Sequence, residues 1–179
     1  MEEQMSKGKF KAMVHYIGHE CQDAPTRLGS VRLNKALWFT DLISYQMNGS
    51  SITGEKYVKR MRGPVPKTIL ATLEELQKER KILIHEPEYQ FDSRRYILLS
   101  KPDDDILNED EKNLVKSVID FVCRHKASEI SEITHDEVWD VAKEGEEISL
   151  FATLAAGQGA ITKQMTEWAE SILQSRMIA

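Results

Sequence analysis

Cysteine is scarce: Cys21 and Cys123 are the only two in 179 residues. They form no CxxC pair and lack the density of a disulfide-stapled secreted domain, so both are expected to be buried small hydrophobes. Long apolar runs are missing as well. No stretch approaches the roughly 18 to 20 consecutive apolar residues that cross a bilayer, which excludes a membrane-spanning helix. The amino-terminal stretch MEEQMSKGKFKAM is acidic at its start and has no apolar centre ahead of a small-residue cleavage site, so it does not read as a secretory signal. A cytoplasmic location is the expectation.

The usual signatures of catalysis are absent too. There is no GxSxG elbow, and neither cysteine has a His and an acid at a spacing that would activate a thiolate. His15 and His19 stand four apart on one helix face, but the HExxH order is missing and a third ligand is not in view, so a helix-packing role outweighs zinc. GSSITGEK superficially resembles a phosphate-binding loop, yet Glu55 occupies the lysine position and no strand leads in. The carboxylates of residues 102–150 cluster as solvated helix faces commonly do, without a paired acid/base setting. The chain is expected not to be an enzyme and to need no metal or cofactor.

What is present is an ordinary soluble composition, 41% hydrophobic and 30% charged, at a length that suits one domain of about 100 to 200 residues. The net charge of −5 is unevenly spread. Residues 55–101 hold eleven Lys and Arg against seven Asp and Glu (net +4), and residues 102–150 hold five against fifteen (net −10). Such polarity steers partners of opposite sign to different faces.

Apolar spacing predicts the elements. Phe10, Met13, Val14 and Ile17 recur at three and four, as on an amphipathic helix. A second helix is expected from an N-cap at Ser30 to a stop at Asn48-Gly49. Its apolar residues cover most of its circumference, which places it at the centre and makes Lys35 and Asp41 within it conspicuous, because a charge facing a core needs a partner. In MRGPVPKTILATLEEL, proline at a first helical turn suggests that Pro66 starts a helix. Gly63 and Val65, each ahead of a proline, are expected to be extended, and Ile69, Leu70, Leu73 and Leu76 to form the buried stripe. Alternation around Ile82, Ile84, Tyr96 and Leu98 predicts a β-hairpin turning at Asp92-Ser93. Further helices are expected after Asn108 with Glu111, after a Thr134/Glu137 capping box, running on to near Gly145, and along Ile161–Leu173.

The fold expectation is therefore mainly α: a helical domain with a small β-hairpin in a winged-helix-like arrangement and additional C-terminal helices. Residues 1–150 would form the domain and 151–179 a helical extension packed on it. Lys56, Lys59, Arg60, Arg62, Lys67, Lys78, Arg94 and Arg95 lie on or near the third helix and wing, which makes DNA binding a rival reading. Against it stand the acidic total and a third helix that offers mainly Lys and Thr where base readout wants Arg, Asn or Gln.

Residues 33–66, LNKALWFTDLISYQMNGSSITGEKYVKRMRGPVP, resemble the opening of the Panacea, or SocA-like antitoxin, domain family. The family's pattern falls on Leu33, Lys35, Leu37, Phe39, Asp41, Gly49, Ile52-Thr53-Gly54, Tyr57 and Gly63-Pro64-Val65-Pro66. A second signature, in SEITHDEVW, falls on Thr134, His135 and Trp139. The resemblance implies the antitoxin of a bacterial or phage toxin–antitoxin pair, non-catalytic, whose partner is a cognate protein toxin encoded nearby. It also implies, through one described member, the alternative of an adaptor that delivers its toxin to a AAA+ protease. Trp38, Phe39, Tyr57 and Trp139 are expected in the core, with Gly63, Pro64 and Pro66 as a conformational device. Lys35, Asp41 and His135 are expected to form one buried polar cluster. Arg60, Arg62 and Lys67 are the candidate toxin contacts, chosen for their rigid setting and for arginine's frequency at binding hot spots.

Overall fold

The computed structural model describes residues 2–22, 28–86, 94–103, 105–135 and 137–156. Seven helices are seen among them: α1 (Glu2–Glu20), α2 (Ser30–Asn48), α3 (Ile69–Lys78), α4 (Glu109–Arg124), α5 (Ala127–Ile133), α6 (Glu137–Val141) and α7 (Leu150–Ala155). Five short strands make two antiparallel sheets. β1 (Tyr57–Arg60) lies between β2 (Gly63–Pro66) and β5 (Glu147–Ile148), while β3 (Ile82–His85) pairs with β4 (Arg95–Leu98). The expected turn at Asp92-Ser93 and the helix along 161–173 lie outside the described residues, and the expected boundary at residue 150 falls within α7.

α2 is the hub, touching α1, α4, α5, α7 and β2. Leu37, Trp38, Phe39 and Leu42 are fully buried in it. Phe10, Met13, Val14 and Ile17 of α1 face the same core, as their spacing predicts. The helix stops as expected, with Gly49 in the left-handed region at φ 71° and its N–H on the Tyr45 carbonyl, a conformation other residues adopt only with strain. Its start differs: Gly29 is the N-cap, and the Ser30 hydroxyl is hydrogen-bonded to the Tyr96 hydroxyl of β4 at 2.9 Å. The Asn108/Glu111 capping box of α4 forms in both directions, each bond at 2.9 Å.

Three expectations are corrected. Gly63-Pro64-Val65-Pro66 is not a helix entrance; it is the strand β2, and α3 begins only after Thr68. The extended backbone expected at Val65 fits a strand, whereas Gly63 takes φ +104°, outside the extended region expected of it. Leu70 is exposed and Thr72 takes its place inside with Ile69, Leu73 and Leu76; Leu70 lies about 100° around the helix from Ile69, at the margin of the stripe. Thr134 is the C-cap of α5, where its hydroxyl donates to the Ser131 carbonyl at 2.9 Å, and α6 runs from Glu137 to Val141 rather than on to near Gly145. The winged-helix arrangement does not emerge, since the β1–β2 hairpin intervenes between α2 and α3. The chain is mainly α with two small antiparallel sheets.

Asp41 fastens α2 to the loop that launches β1. Completely buried, its carboxylate accepts from the Ile52 and Thr53 N–H groups at 3.0 Å each, from the Tyr57 hydroxyl at 2.8 Å and from the Thr53 hydroxyl. Burial pushes its pKa up, and these four bonds oppose the shift. The same tyrosine packs edge-on against Trp38, with ring centroids 4.9 Å apart. Asp41→Ala leaves four donors with no acceptor and is expected to cost about 2 to 4 kcal/mol. Urea denaturation measures this, and an unchanged midpoint would remove Asp41 from its organising role.

Candidate partner-binding face

β2 is a free edge of its sheet. It pairs with β1 in the register Tyr57↔Pro66, Val58↔Val65, Lys59↔Pro64 and Arg60↔Gly63. Beyond the strand, the Lys67 N–H donates to the Lys56 carbonyl at 2.8 Å. Residues alternate along a strand, so Gly63, Val65 and Lys67 turn their amides to β1, and Pro64 and Pro66 fall in the set facing away. Proline has no N–H to offer there. The edge therefore presents acceptors without matching donors and resists strand-to-strand association.

Two clefts flank this strand. One, of about 360 Å³, lies between α2 and the β1–β2 turn and is lined by Asn34, Lys35, Arg60, Arg62, Pro64 and Glu144 among others. The other, of about 280 Å³, lies between β2 and α3 and is lined by Arg60, Lys67, Leu70 and Arg94 among others. The three basic residues singled out from sequence are thus brought to one face: Arg60 borders both clefts, Arg62 the first and Lys67 the second. Arg60 pairs with Glu144 at 3.2 Å. Arg62 and Lys67 are exposed and form no ion pair among the described residues.

Lys35 sits in the wall of the first cleft, 1% exposed. Its ammonium donates to the Thr134 hydroxyl, which in turn donates to the Ser131 carbonyl. The threonine hydrogen is thereby committed, leaving a lone pair for the lysine. No carboxylate of the described residues pairs with Lys35, and burial alone lowers its pKa from 10.5 to about 7. Room for this contact exists because residue 63 has no side chain. A Cβ there would fall 1.8 Å from Lys35 Nζ and 2.4 Å from Thr134 Oγ1, and the backbone at φ +104° already requires glycine.

The single polar cluster expected from Lys35, Asp41 and His135 is divided in two. Six residues apart on a helix, Lys35 and Asp41 point to different sides, and Asp41 belongs to the Thr53–Tyr57 loop. His135 stays near Lys35: burial first, and then the lysine charge, lower its pKa, and its buried Nε2 has no hydrogen-bond partner among the described residues. Its ring stacks on Trp139 with centroids 3.7 Å apart, and the Lys59 ammonium stands 4.0 Å from that indole. Trp38, Phe39 and Tyr57 are fully buried as expected, whereas Trp139 is half-buried and donates to the Arg60 carbonyl at 3.3 Å. It braces the turn that carries Arg62.

Elsewhere, His15 is buried with its Nε2 on the Ser100 carbonyl at 3.0 Å. Among the described residues no three His, Cys, Asp or Glu side chains gather as metal ligands, and no helix is long and apolar enough to cross a membrane. Cys21 and Cys123 are hydrogen-bonded to each other, a pairing their separation in sequence conceals; that bond and burial both push the Cys21 thiol up.

A family model described as antitoxin SocA-like, Panacea domain, matches residues 33–140, more than half of the chain. The chain belongs to this Panacea family. Comparison with curated proteins and with solved structures gives no match. The matched span begins at α2 and ends in α6, so it contains Lys35, Gly63, Thr134 and His135 and the whole basic face. Sequence reasoning marked the Panacea signature residues but missed what joins them. Thr134 was read as a cap, when it is the lysine's partner. Asn34 and Glu144 carried no signal that pointed to the cleft.

Two measurements test this arrangement. The folded pKa of Lys35 lies below its unfolded value, so between about pH 7 and 10 the unfolded chain binds the extra proton and stability rises with pH; below about 7 the full penalty remains. Lys35→Met is expected to remove that rise from a comparison of urea midpoints at the two ends of the interval. Gly63→Ala is expected to cost about 2 to 4 kcal/mol. Combining it with Lys35→Met should recover about 1 kcal/mol or more of the steric part, whereas strict additivity would mean the two residues do not meet.

Proposed function

We propose that this Panacea-family chain is an antitoxin that neutralises a cognate protein toxin by direct binding, through the face built around β2. The family match carries the reading. Support comes from the face itself: a rigid two-proline strand flanked by two clefts, with Arg62 and Lys67 free of ion pairs among the described residues and Met61 and Leu70 exposed at 76% and 63%. Exposed arginine and methionine beside apolar walls are the composition of an interface centre. A standard interface buries about 1,600 Å² in total, enough for such a face to cover a toxin's active surface by occlusion. The work is binding, not turnover.

A DNA-reading role has less support. The outward residues in the first half of α3 are Leu70, Ala71 and Glu74, and the exposed Gln77 and Lys78 stand at its C-terminal end rather than near its start, where a recognition helix presents its base-reading side chains.

Co-expression with the product of the adjacent reading frame tests the proposal: growth arrest by that product alone should be relieved by this chain, and the two should co-purify. Reversing charge in an Arg60→Glu, Arg62→Glu, Lys67→Glu variant is expected to weaken the complex about 100-fold or more with a melting temperature unchanged within a few degrees. Full rescue by the folded triple variant would move the contact to another face.

A further inference from the structure

Lys35 is an expensive residue to keep. An ammonium buried to 1% exposure, held by one neutral hydroxyl, faces a cleft whose cationic residues outnumber its single carboxylate, Glu144, and that carboxylate is engaged by Arg60. If its purpose were structural, methionine would fill the same space without the desolvation cost. The ammonium has three donors, and one is used among the described residues. Around it stand the Asn34 amide, the apolar surfaces of Pro64 and Val65, and Arg62. The charged and titratable groups of the neighbouring elements include His135, held toward its neutral form, with Glu132 and Asp140 acting on it, Lys59, Arg60 and Arg62 of the hairpin, and Glu144.

Resting on the antitoxin reading, we infer that this cleft receives one carboxylate of the partner, from an aspartate, a glutamate or a chain terminus, as the counter-ion of Lys35. One carboxylate matches the site in charge and in number of bonds, since its two oxygens can take the two unused ammonium donors. A phosphate dianion fits less well, because Glu144 stands among the lining groups and Arg60 is already paired. The apolar surfaces of Pro64 and Val65 in the cleft walls would strengthen the pair, and the missing side chain at Gly63 leaves room for the ammonium itself. The partner would thereby bring a charge that the described residues do not supply, and a partner presenting a neutral or basic group there would leave the ammonium without it. The cleft would select as well as bind.

The full-length protein with ¹³C-labelled lysine provides the test. Acetate, added against chloride at equal ionic strength, is expected to raise the Lys35 titration midpoint by about one pH unit, a tenfold preference for the protonated form, with no such response in Lys35→Met. No response, or an equal one to chloride, would overturn the inference. A larger response to inorganic phosphate would overturn it in favour of a phosphate ligand. In parallel, Lys35→Met should bind the product of the adjacent reading frame about tenfold more weakly or worse. An intact complex with that variant would exclude the carboxylate contact while leaving the antitoxin reading in place. An acetate response without any neutralisation of that product would have the opposite meaning.

Discussion

The absence of a side chain at residue 63 is the constraint on which the rest of the structure depends. Through that gap an α2 lysine reaches a threonine 99 residues away in sequence, at the end of α5, while passing the edge of the β1–β2 hairpin. Three parts of the chain therefore meet at one point: the central helix, the two-proline strand and the C-terminal run of short helices. None of the last group is long enough to be stable alone. α5 has seven residues and α6 five, so their placement comes from contacts such as this one, together with the stacking of His135 on Trp139 and the indole bond to Arg60. The geometry that orders them also fixes the turn bearing Arg60, Met61 and Arg62.

Two buried charges on one helix are handled in opposite ways. Asp41 is surrounded by donors supplied from a single loop, so its desolvation is offset locally and it acts as a fastener. Among the described residues Lys35 receives one hydroxyl and no acid, and its ammonium is pushed toward neutrality. A fold that can satisfy one buried ion with four hydrogen bonds has the means to satisfy another; that it leaves Lys35 short of acceptors beside an open cleft distinguishes the two roles. Local incompleteness of this kind is expected where structure has been shaped by binding instead of by stability.

Much of the framework was legible from residue spacing. The core faces of α1 and α4 are each repeated over several turns, and a period of 3.6 repeated that often has few other solutions; α2, apolar nearly all round, was legible as the central helix. Gly49 and the Asn108/Glu111 pair announced their helix ends by chemistry that acts within a few residues. What failed was non-local. Pro66 was equally suited to a first helical turn and to the free side of an edge strand, and only the pairing partner at Tyr57 decides between them. Leu70 has the hydropathy of a core residue, but the width of the buried stripe is set by what packs against α3. Thr134 followed by Glu137 matches a capping box by spacing, yet Thr134 is where α5 ends, with its hydroxyl hydrogen on Ser131 and its oxygen accepting from Lys35.

The candidate site shows the same division. Arg60, Arg62 and Lys67 were grouped from an eight-residue stretch, and the hairpin keeps them together because it is itself a local structure. Lys35, Gly63 and Thr134 are each conspicuous alone, as a charge in an apolar helix, a glycine before proline and a polar residue ahead of a tryptophan. No spacing rule links positions 35, 63 and 134, since their contact is made only when α2, β2 and α5 have docked. A polar contact that depends on three elements also reports on all three: shifting any one of them by an ångström would close the gap at Gly63 or pull Thr134 from the ammonium. The basic face and the buried lysine are consequently coupled through the same short strand, and a partner seated on β2 would bear on both at once.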